Sequence, residues 1–577
     1  MKDIELIEKL TLQNAIKYNG QASLKSTLGS VIRSDPAAFK PRIHETKLLV
    51  EKMVERVNAL TLEQQKARLS EISPESLIQD KKRKKEINIE LPPNPDFTQT
   101  VLRLAPYPSG PLHIGNSRMV VLNDYCTKKY NGKLLLVYDD TIGSETKLID
   151  PTAYDSILEG LDYLGVTIHG IYYKSDRLNL FYRYAREIIS KGEAYVCTCG
   201  ANIWRNRYKE QKKSCPCRPH SIEENLDNWV KMLDGTYPEK GAVVRLKSGM
   251  ALADPAIRDP ALLRISEREH PRVGTKYRVW PLLEYSWGID DHDLGISHII
   301  RGKDLRKEGI IEQMIWKVFQ WKEPKILLYG RMKLKGLKLS KSLTAKYIRD
   351  GTYLDWRDPR TWSLQSLKRR GIQKDAIHNA LLKVGLSSVD VTFSPEAIYS
   401  ANRKLIDSTS NRYFFVADPI KLTITDVPGF IKAAKPLRHP EHPDLGRREI
   451  MIDIEDATVD IYVPKQELIR LGDKRTIRLK DLMNITITDH KEEIALGRYE
   501  SKEVQDAREM KAPMTQWVPV NTALPTEILL PDGNFLIGVS ELGLQNEILG
   551  NIIQFERVAF CRVEELGSPI RMIFVHR

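Results

Sequence analysis

A loop rich in proline and glycine, Pro106-Tyr107-Pro108-Ser109-Gly110-Pro111-Leu112-His113-Ile114-Gly115-Asn116, stands between a short apolar run and a long helix-forming one. Upstream, Val101-Leu102-Arg103-Leu104-Ala105 reads as a strand. Downstream, 115–130 reads as a helix, with Val120 and Val121 on a buried face and Asp124, Tyr125 and Lys128 toward a wet one. A continuously apolar strand follows at 133–138. A strand, a crossover helix and a second strand make a parallel pair, because parallel neighbours need a long return connection. Parallel sheets are covered on both faces, so this one stretch commits the chain to a layered α/β domain. The pattern returns with strands near 298–301 and 326–329 around a helix at 308–319. The domain is therefore expected over 98–350 as a doubly wound, Rossmann-type sheet, interrupted by an insertion at about 192–297.

A chain of 577 residues holds several domains. Residues 1–97 read as a helical extension and linker. Ile4, Ile7 and Leu10 recur at helical spacing, and Asn19-Gly20 ends that helix. Leu49, Met53, Val57 and Leu60 form a second stripe, and Thr61 to Gln64 has the spacing of a capping box. The run Asp80-Lys81-Lys82-Arg83-Lys84-Lys85-Glu86 and then Leu91-Pro92-Pro93-Asn94-Pro95 read as a solvated linker. Residues 351–410 are helical. From 411 to 577, period-2 runs such as 421–425, 450–454, 484–488 and 534–538 alternate with turns, which predicts an all-β end region, sandwich or barrel. No internal repeat is visible.

Lys and Arg total 89 against 76 Asp and Glu, a net charge of +13, which suits a polyanion partner but also an ordinary basic protein. Six cysteines exclude a disulfide scaffold and point to the reducing cytoplasm. No apolar stretch approaches the ~18 residues of a membrane span, so no membrane partner is expected.

Two loops carry the candidate chemistry. The first, 106–116, enters a helix N-terminus, where unpaired N–H groups and the helix dipole favour anions. Gly110 and Gly115 permit close approach, and His113 and Asn116 offer polar atoms to a phosphate. The second, Lys335-Gly336-Leu337-Lys338-Leu339-Ser340-Lys341-Ser342, places Lys338 and Lys341 in a Gly/Ser-rich loop suited to clamping a triphosphate. Alone, either loop has a structural or solvated alternative. A third cluster pairs Cys197-Thr198-Cys199 with Cys215-Pro216-Cys217. Four thiolates in two tight pairs suit a structural Zn²⁺, against free thiols or redox pairs as alternatives. The segment between them, with Trp204, Arg205, Arg207, Tyr208 and Lys209, is basic and aromatic, as an RNA end requires. At 367–372, Lys368, Arg369 and Arg370 offer either a solvated face or contact with an RNA backbone.

Together, His113-Ile114-Gly115-Asn116 and Lys338-Leu339-Ser340-Lys341-Ser342 resemble the signature pair of the class I aminoacyl-tRNA synthetases. Arg103, Asp139-Asp140-Thr141, Asp290-Asp291-His292, Ile300-Arg301-Gly302-Lys303-Asp304 and Asn411-Arg412-Tyr413-Phe414-Phe415 narrow the resemblance to glutamyl-tRNA synthetases of the archaeal type, over nearly the whole chain. The resemblance implies an acceptor-binding insertion, a helical stem-contact region and a β-barrel anticodon-binding end. It implies a cytoplasmic enzyme, a monomer, that takes glutamate, tRNA and ATP with Mg²⁺. Its ATP site would use Pro108, Gly110, His113, Gly115, Asn116, Lys338, Ser340 and Lys341, of which His113, Asn116, Lys338 and Lys341 would be catalytic. Arg103, Ser109, Asp139 and Arg301 would hold glutamate, with Glu284 as a second carboxylate for its ammonium. The chain departs from the family at Tyr107, at Val137-Tyr138-Asp139-Asp140-Thr141-Ile142 and at Leu283. Structural alternatives are a surface strand position for Arg103 and an ion pair with Asp304 for Arg301. Glutaminyl-tRNA synthetase shares these motifs, and a non-catalytic tRNA-binding paralogue would have lost His113 or the lysines.

Overall fold

The computed structural model describes residues 2–18, 20–39, 41–73, 89–143, 148–337, 339–471, 475–490 and 494–577. The chain divides into two compact units, Met1–Asn88 and Ile89–Arg577. Among the described residues no helix is long and apolar enough to cross a membrane.

The first unit is helical, with Lys2–Lys17, Leu24–Ser34, Ile43–Asn58 and Leu62–Ile72 as its main elements. The expected capping box forms: the Thr61 side chain accepts from Gln64 N–H, and the Gln64 side chain accepts from Thr61 N–H. The third of these helices buries Met53 and Val57 of the expected stripe, with Val50 in the place of Leu49, which lies exposed. The expected charged linker at 80–86 lies outside the described residues.

The second unit begins with the parallel sheet. Strand β1 (Val101–Leu104) pairs in parallel with β2 (Lys133–Tyr138), and β2 with β3 (Gly170–Tyr173). The chain then builds an antiparallel sheet in the order β4 (Ala194–Cys197), β5 (Val243–Leu246), β6 (Ala261–Ile265) and β7 (Val279–Pro281). It returns as the parallel pair β8 (His298–Gly302) and β9 (Lys325–Tyr329). Ser297 joins this pair to β1: its N–H donates to Val101 O at 3.0 Å, and its hydroxyl accepts from Val101 N–H at 2.8 Å. The order is therefore β3-β2-β1-β8-β9. Strand order reverses between β1 and β8, the place where open α/β sheets leave a crevice at the carboxyl ends of their strands.

The helix Ile114–Lys129 that follows β1 differs from expectation. Asp124 is buried along with Val120 and Val121, and Arg118 is completely buried. Arg118 donates to the Gly330 and Gly385 carbonyls at 2.7 and 2.8 Å, which lets a helix with charged residues be covered on most sides. The insertion shares one core with the sheet domain, in which Phe181, Trp229, Val244, Trp280, Tyr285 and Ile315 pack together.

The end region consists of two closed barrels. One seven-stranded sheet begins at Arg412–Tyr413 and ends at Phe415–Ala417, with Phe414 alone between them. The two edges are thus one chain segment, and the sheet closes on itself. The other seven-stranded sheet begins at Met514–Thr515 and ends at Val518–Pro519, and closes in the same way. Closure removes the unpaired edges that an open sheet presents. Tyr413 and Phe415 lie in the core of the first barrel, and Phe414 in that of the second. Between the barrels, Arg448 bridges the carboxylates of Glu541 and Glu556, each at 2.9 Å. Burial pushes the Glu541 carboxyl up to about 7 against the pull of that arginine.

Of the cations at 368–370, Lys368 stays exposed, 3.7 Å from Glu159, while Arg369 and Arg370 are used within the protein. Arg369 makes a bidentate pair with Glu564 at 2.6 and 2.7 Å. Arg370 is buried on the Val575 carbonyl and the Tyr399 hydroxyl, at 2.8 and 3.0 Å. They fasten the helix Leu364–Arg369 to the first barrel.

Candidate active site

The loop after β1 reaches the helix Ile114–Lys129 through His113, which caps it. His113 Nδ1 accepts from Gly115 N–H at 3.0 Å, and the Asn116 side-chain oxygen accepts from His113 N–H at 3.4 Å. An Nδ1 that accepts carries no proton, so the neutral ring holds its proton on Nε2. Burial, together with the charge of Lys341, holds the imidazole down at about 4, so it is neutral over the physiological range. Gly110 has φ +137°, and a Cβ there would lie 2.9 Å from the Trp356 ring. Only glycine meets both demands. Pro108 is held by its carbonyl, which accepts from Asp150 N–H at 2.9 Å, and Ser109 N–H donates to Tyr107 O at 2.9 Å.

The second motif meets this loop. Lys341 Nζ donates to the Gly110 carbonyl at 2.9 Å across 231 residues of sequence. Leu339 lies against Gly115, 3.5 Å from where its Cβ would stand. Ser340 caps the helix Lys341–Arg349, its hydroxyl accepting from Leu343 N–H at 3.4 Å. Burial lowers Lys341 to about 8. Lys338 lies outside the described residues. The structure thus brings His113, Gly110, Gly115, Ser340 and Lys341 to one place, at the carboxyl end of β1.

Arg103 and Arg301 come together around a residue that the sequence reading missed. Their guanidinium carbons lie 4.7 and 5.5 Å from the Trp287 ring centroid. Both arginines are buried and both are paired. Arg103 grips the two oxygens of Asp291, and Arg301 those of Glu312 at 2.8 and 2.9 Å. Arg103 is therefore not a surface residue, and the partner of Arg301 is Glu312 instead of Asp304. Burial raises the Glu312 carboxyl even so. Asp139 is buried and bonded 3.0 Å from Lys174 Nζ, a lysine with no exposed surface. Nothing local in the sequence marks Lys174 or Glu312; Asp291 stood within the quoted Asp290-Asp291-His292.

Glu284 sits apart, in the first turn of the helix Leu283–Asp293, and burial raises its carboxyl. It lines a cavity of about 690 Å³ whose wall also includes Leu282, Arg264, Arg205, Trp204 and Cys199. This cavity runs from the sheet domain to the cysteine cluster. There the Sγ atoms of Cys197, Cys199, Cys215 and Cys217 all lie within 4.8 Å of one another. Cys197 and Cys215 are 3.9 Å apart, and Cys199 and Cys217 3.8 Å. A tetrahedron with Zn–S bonds of ~2.3 Å has edges of about 3.8 Å, so the four thiols fit one Zn²⁺. Beside them, Arg245 stacks on Trp204 at 3.5 Å, while Arg205 and Arg207 stay exposed.

Comparison with known proteins agrees with this architecture. Residues 99–408 match the family of tRNA synthetases class I (E and Q), catalytic domain, and residues 410–500 match the anti-codon binding domain of the same class. The chain is 40% identical to the glutamate--tRNA ligase of Pyrococcus furiosus, over 99% of this chain and all of that one. It is 40% identical to the glutamate--tRNA ligase of Methanocaldococcus jannaschii, over 97% of each. A crystal structure of a glutamate-tRNA synthetase from Elizabethkingia anophelis aligns with 54% of this chain and 72% of that one, at 19% identity and a TM-score of 0.40. With a parallel sheet that gathers both signature motifs, a pair of barrels behind it and full-length relatives of one kind, the chain belongs to the class I tRNA synthetases of the glutamate and glutamine family, alongside the archaeal glutamate--tRNA ligases.

Proposed function

We propose that the protein joins glutamate to tRNA(Glu) at the expense of ATP. In the first step the glutamate α-carboxylate attacks the α-phosphorus of ATP, and the bond to pyrophosphate breaks. In the second, the 2′-hydroxyl of the terminal adenosine of tRNA attacks the glutamyl carbonyl, and AMP leaves. ATP enters as its Mg²⁺ complex. The observation that carries this reading is the meeting of His113 and Lys341 at the Gly110 loop. In-line displacement at phosphorus needs placement and charge neutralisation more than proton transfer. A neutral imidazole offers Nε2–H to a phosphate oxygen. A lysine held one hydrogen bond from the loop supplies positive charge where pyrophosphate departs. Asn116, Pro108, Ser340 and Lys338 complete the nucleotide site, and Arg103, Ser109, Asp139, Glu284 and Arg301 the amino-acid site.

The same reading assigns the remaining parts. Residues 1–97 are the helical extension, 98–350 the catalytic domain, 192–297 its acceptor-end insertion, 351–410 the stem-contact region and 411–577 the anticodon-binding barrels. One Zn²⁺ on the four cysteines stiffens the insertion. The protein acts as a monomer in the cytoplasm.

A second reading, glutaminyl-tRNA synthetase, has one observation in its favour. Asp291 and Glu312 neutralise both arginines, which lessens the pull of the pocket on a side-chain carboxylate. Charging of separate tRNA(Glu) and tRNA(Gln) transcripts with labelled glutamate and glutamine decides between them. Glutamate is expected to lead in kcat/KM, through the positive charge that Arg103, Arg301 and Lys174 keep on the pocket when the substrate's carboxylate joins them. Efficient glutamine charging would overturn the glutamate assignment.

A further inference from the structure

Three cations face the Trp287 ring: Arg103 at 4.7 Å, Lys174 at 5.2 Å and Arg301 at 5.5 Å. Each has its own carboxylate, respectively Asp291, Asp139 and Glu312. The two arginine pairs are bidentate and leave no carboxylate oxygen ungripped. The third pair is of another kind. Lys174 touches Asp139 through one oxygen at 3.0 Å, and its other polar contact is the Ser286 hydroxyl at 2.7 Å. Lys174 follows β3 directly and Asp139 follows β2, so both stand at the carboxyl ends of neighbouring strands, at the same end of the sheet as the crevice between β1 and β8.

The consequence concerns how an amino acid enters. Asp139 is the acid that the family resemblance gives to the substrate's ammonium, yet an ammonium already sits on it. A guanidinium fork could not be replaced there by a single –NH₃⁺, but a lysine head can, since the two groups are chemically alike. In any α-amino acid the carboxylate is one carbon away from the ammonium. A lysine displaced from Asp139 would therefore find an anion next to the group that displaced it, and would not be left buried without a partner.

We propose that Lys174 is a resident ammonium of the amino-acid pocket: the substrate's α-ammonium takes its place on Asp139, and Lys174 turns onto the substrate's α-carboxylate. Lys174 is then a specificity-determining residue that rewards a ligand bearing both groups on one carbon. The inference rests on the reading that this pocket takes an amino acid.

The test is calorimetric titration of the full chain with glutamate and with glutarate, which keeps two carboxylates but has no ammonium. Wild type should bind glutarate at least 100-fold more weakly than glutamate, because glutarate cannot release Lys174. Lys174→Gln should weaken glutamate at least tenfold and leave glutarate within twofold of its wild-type affinity. Asp139→Asn should move the two ligands in opposite directions. Glutamate weakens at least tenfold, while glutarate tightens at least threefold, because Lys174 is already free to meet a carboxylate. Loss of both ligands in step in Asp139→Asn, or unchanged glutamate binding in Lys174→Gln, would overturn the exchange. If Lys174→Gln fails to fold, judged by its melting curve, the sign of the glutarate change in Asp139→Asn decides. Charging assays on the wild type read the proposed function separately. If glutamine is the amino acid charged, the same variants are titrated with glutamine and its ammonium-free analogue glutaramate, and the same comparison applies.

Discussion

Lys341 and Gly110 are joined by a 2.9 Å hydrogen bond from the lysine ammonium to the glycine carbonyl, so the two signature loops form one structure. The bond aims a charge at a loop whose shape depends on a glycine. Each of these two residues has a separate, measurable role.

Lys341→Ala should lower kcat for adenylate formation by about 10²–10³ with little change in the KM for ATP, as expected for a charge used at the transition state. The pH profile gives a second reading. Burial lowers Lys341 to about 8, and only its protonated form carries the charge. The kcat/KM for ATP should therefore be level below about pH 8 and fall above it. Lys341→Arg keeps its charge at all these pH values and should remove that limb. Pyrophosphate exchange measured across pH 6.5–9.5 (an assay range of about three units, wide enough for a single titration) checks both statements.

Gly110→Ala should disturb the loop without removing any functional atom. The alanine would have to keep φ +137°, with its Cβ 2.9 Å from the Trp356 ring. Displacement of a reactant or catalytic group by about 1 Å is enough to lower a rate by ~10². We expect a loss of that order in kcat/KM for ATP, with the melting temperature of the barrels unchanged. Normal pyrophosphate exchange in the variant would show that the carbonyl of Gly110 does not position Lys341.

The Arg301–Glu312 pair separates stability from recognition. Arg301→Gln leaves Glu312 buried without its partner, which should destabilise the protein by about 3–5 kcal/mol. The double variant Arg301→Met, Glu312→Leu removes both charges and should regain most of that loss. If Arg301 also serves the amino acid, the double variant melts normally but keeps a raised KM for glutamate. Denaturant unfolding and charging kinetics on the same two preparations distinguish the two effects.

The cysteine cluster predicts about one Zn²⁺ per chain, from the count of four ligands in a tetrahedral site. Protein prepared without chelators should carry that metal by elemental analysis. Cys217→Ala should abolish it and lower the melting temperature of the protein. A metal-free wild type of undiminished stability would leave the cluster as ordinary thiols.

Much of the site was legible because its geometry is local. A glycine that needs positive φ, a histidine at a helix N-cap and a serine before a lysine-led helix all leave marks within a few residues. The ion pairs left none. Arg301 has Asp304 nearby in sequence, yet it pairs with Glu312, eleven positions on, where a helix turns back over β8. Lys174 looks like any surface lysine until β3 and β2 are laid side by side. The strands of the end region were likewise visible from alternation, and a barrel was among the expected outcomes, whereas the division of those strands between two barrels was not. The closing segments 412–417 and 514–519 are each interrupted where the chain crosses from one partner strand to another. The sequence shows no repeat, because the two barrels share a way of closing and not a pattern of residues.

The segment 412–417 also has a reading frame. Successive strand side chains face opposite ways, and here the two sides are the interiors of different barrels, with Tyr413 and Phe415 in one and Phe414 in the other. Adding or deleting one residue would not loosen a single core. It would send each aromatic ring into the wrong barrel at once, while every loop of both barrels stayed intact. A change of length inside any other strand upsets the core of its own barrel, whereas in this stretch it upsets two.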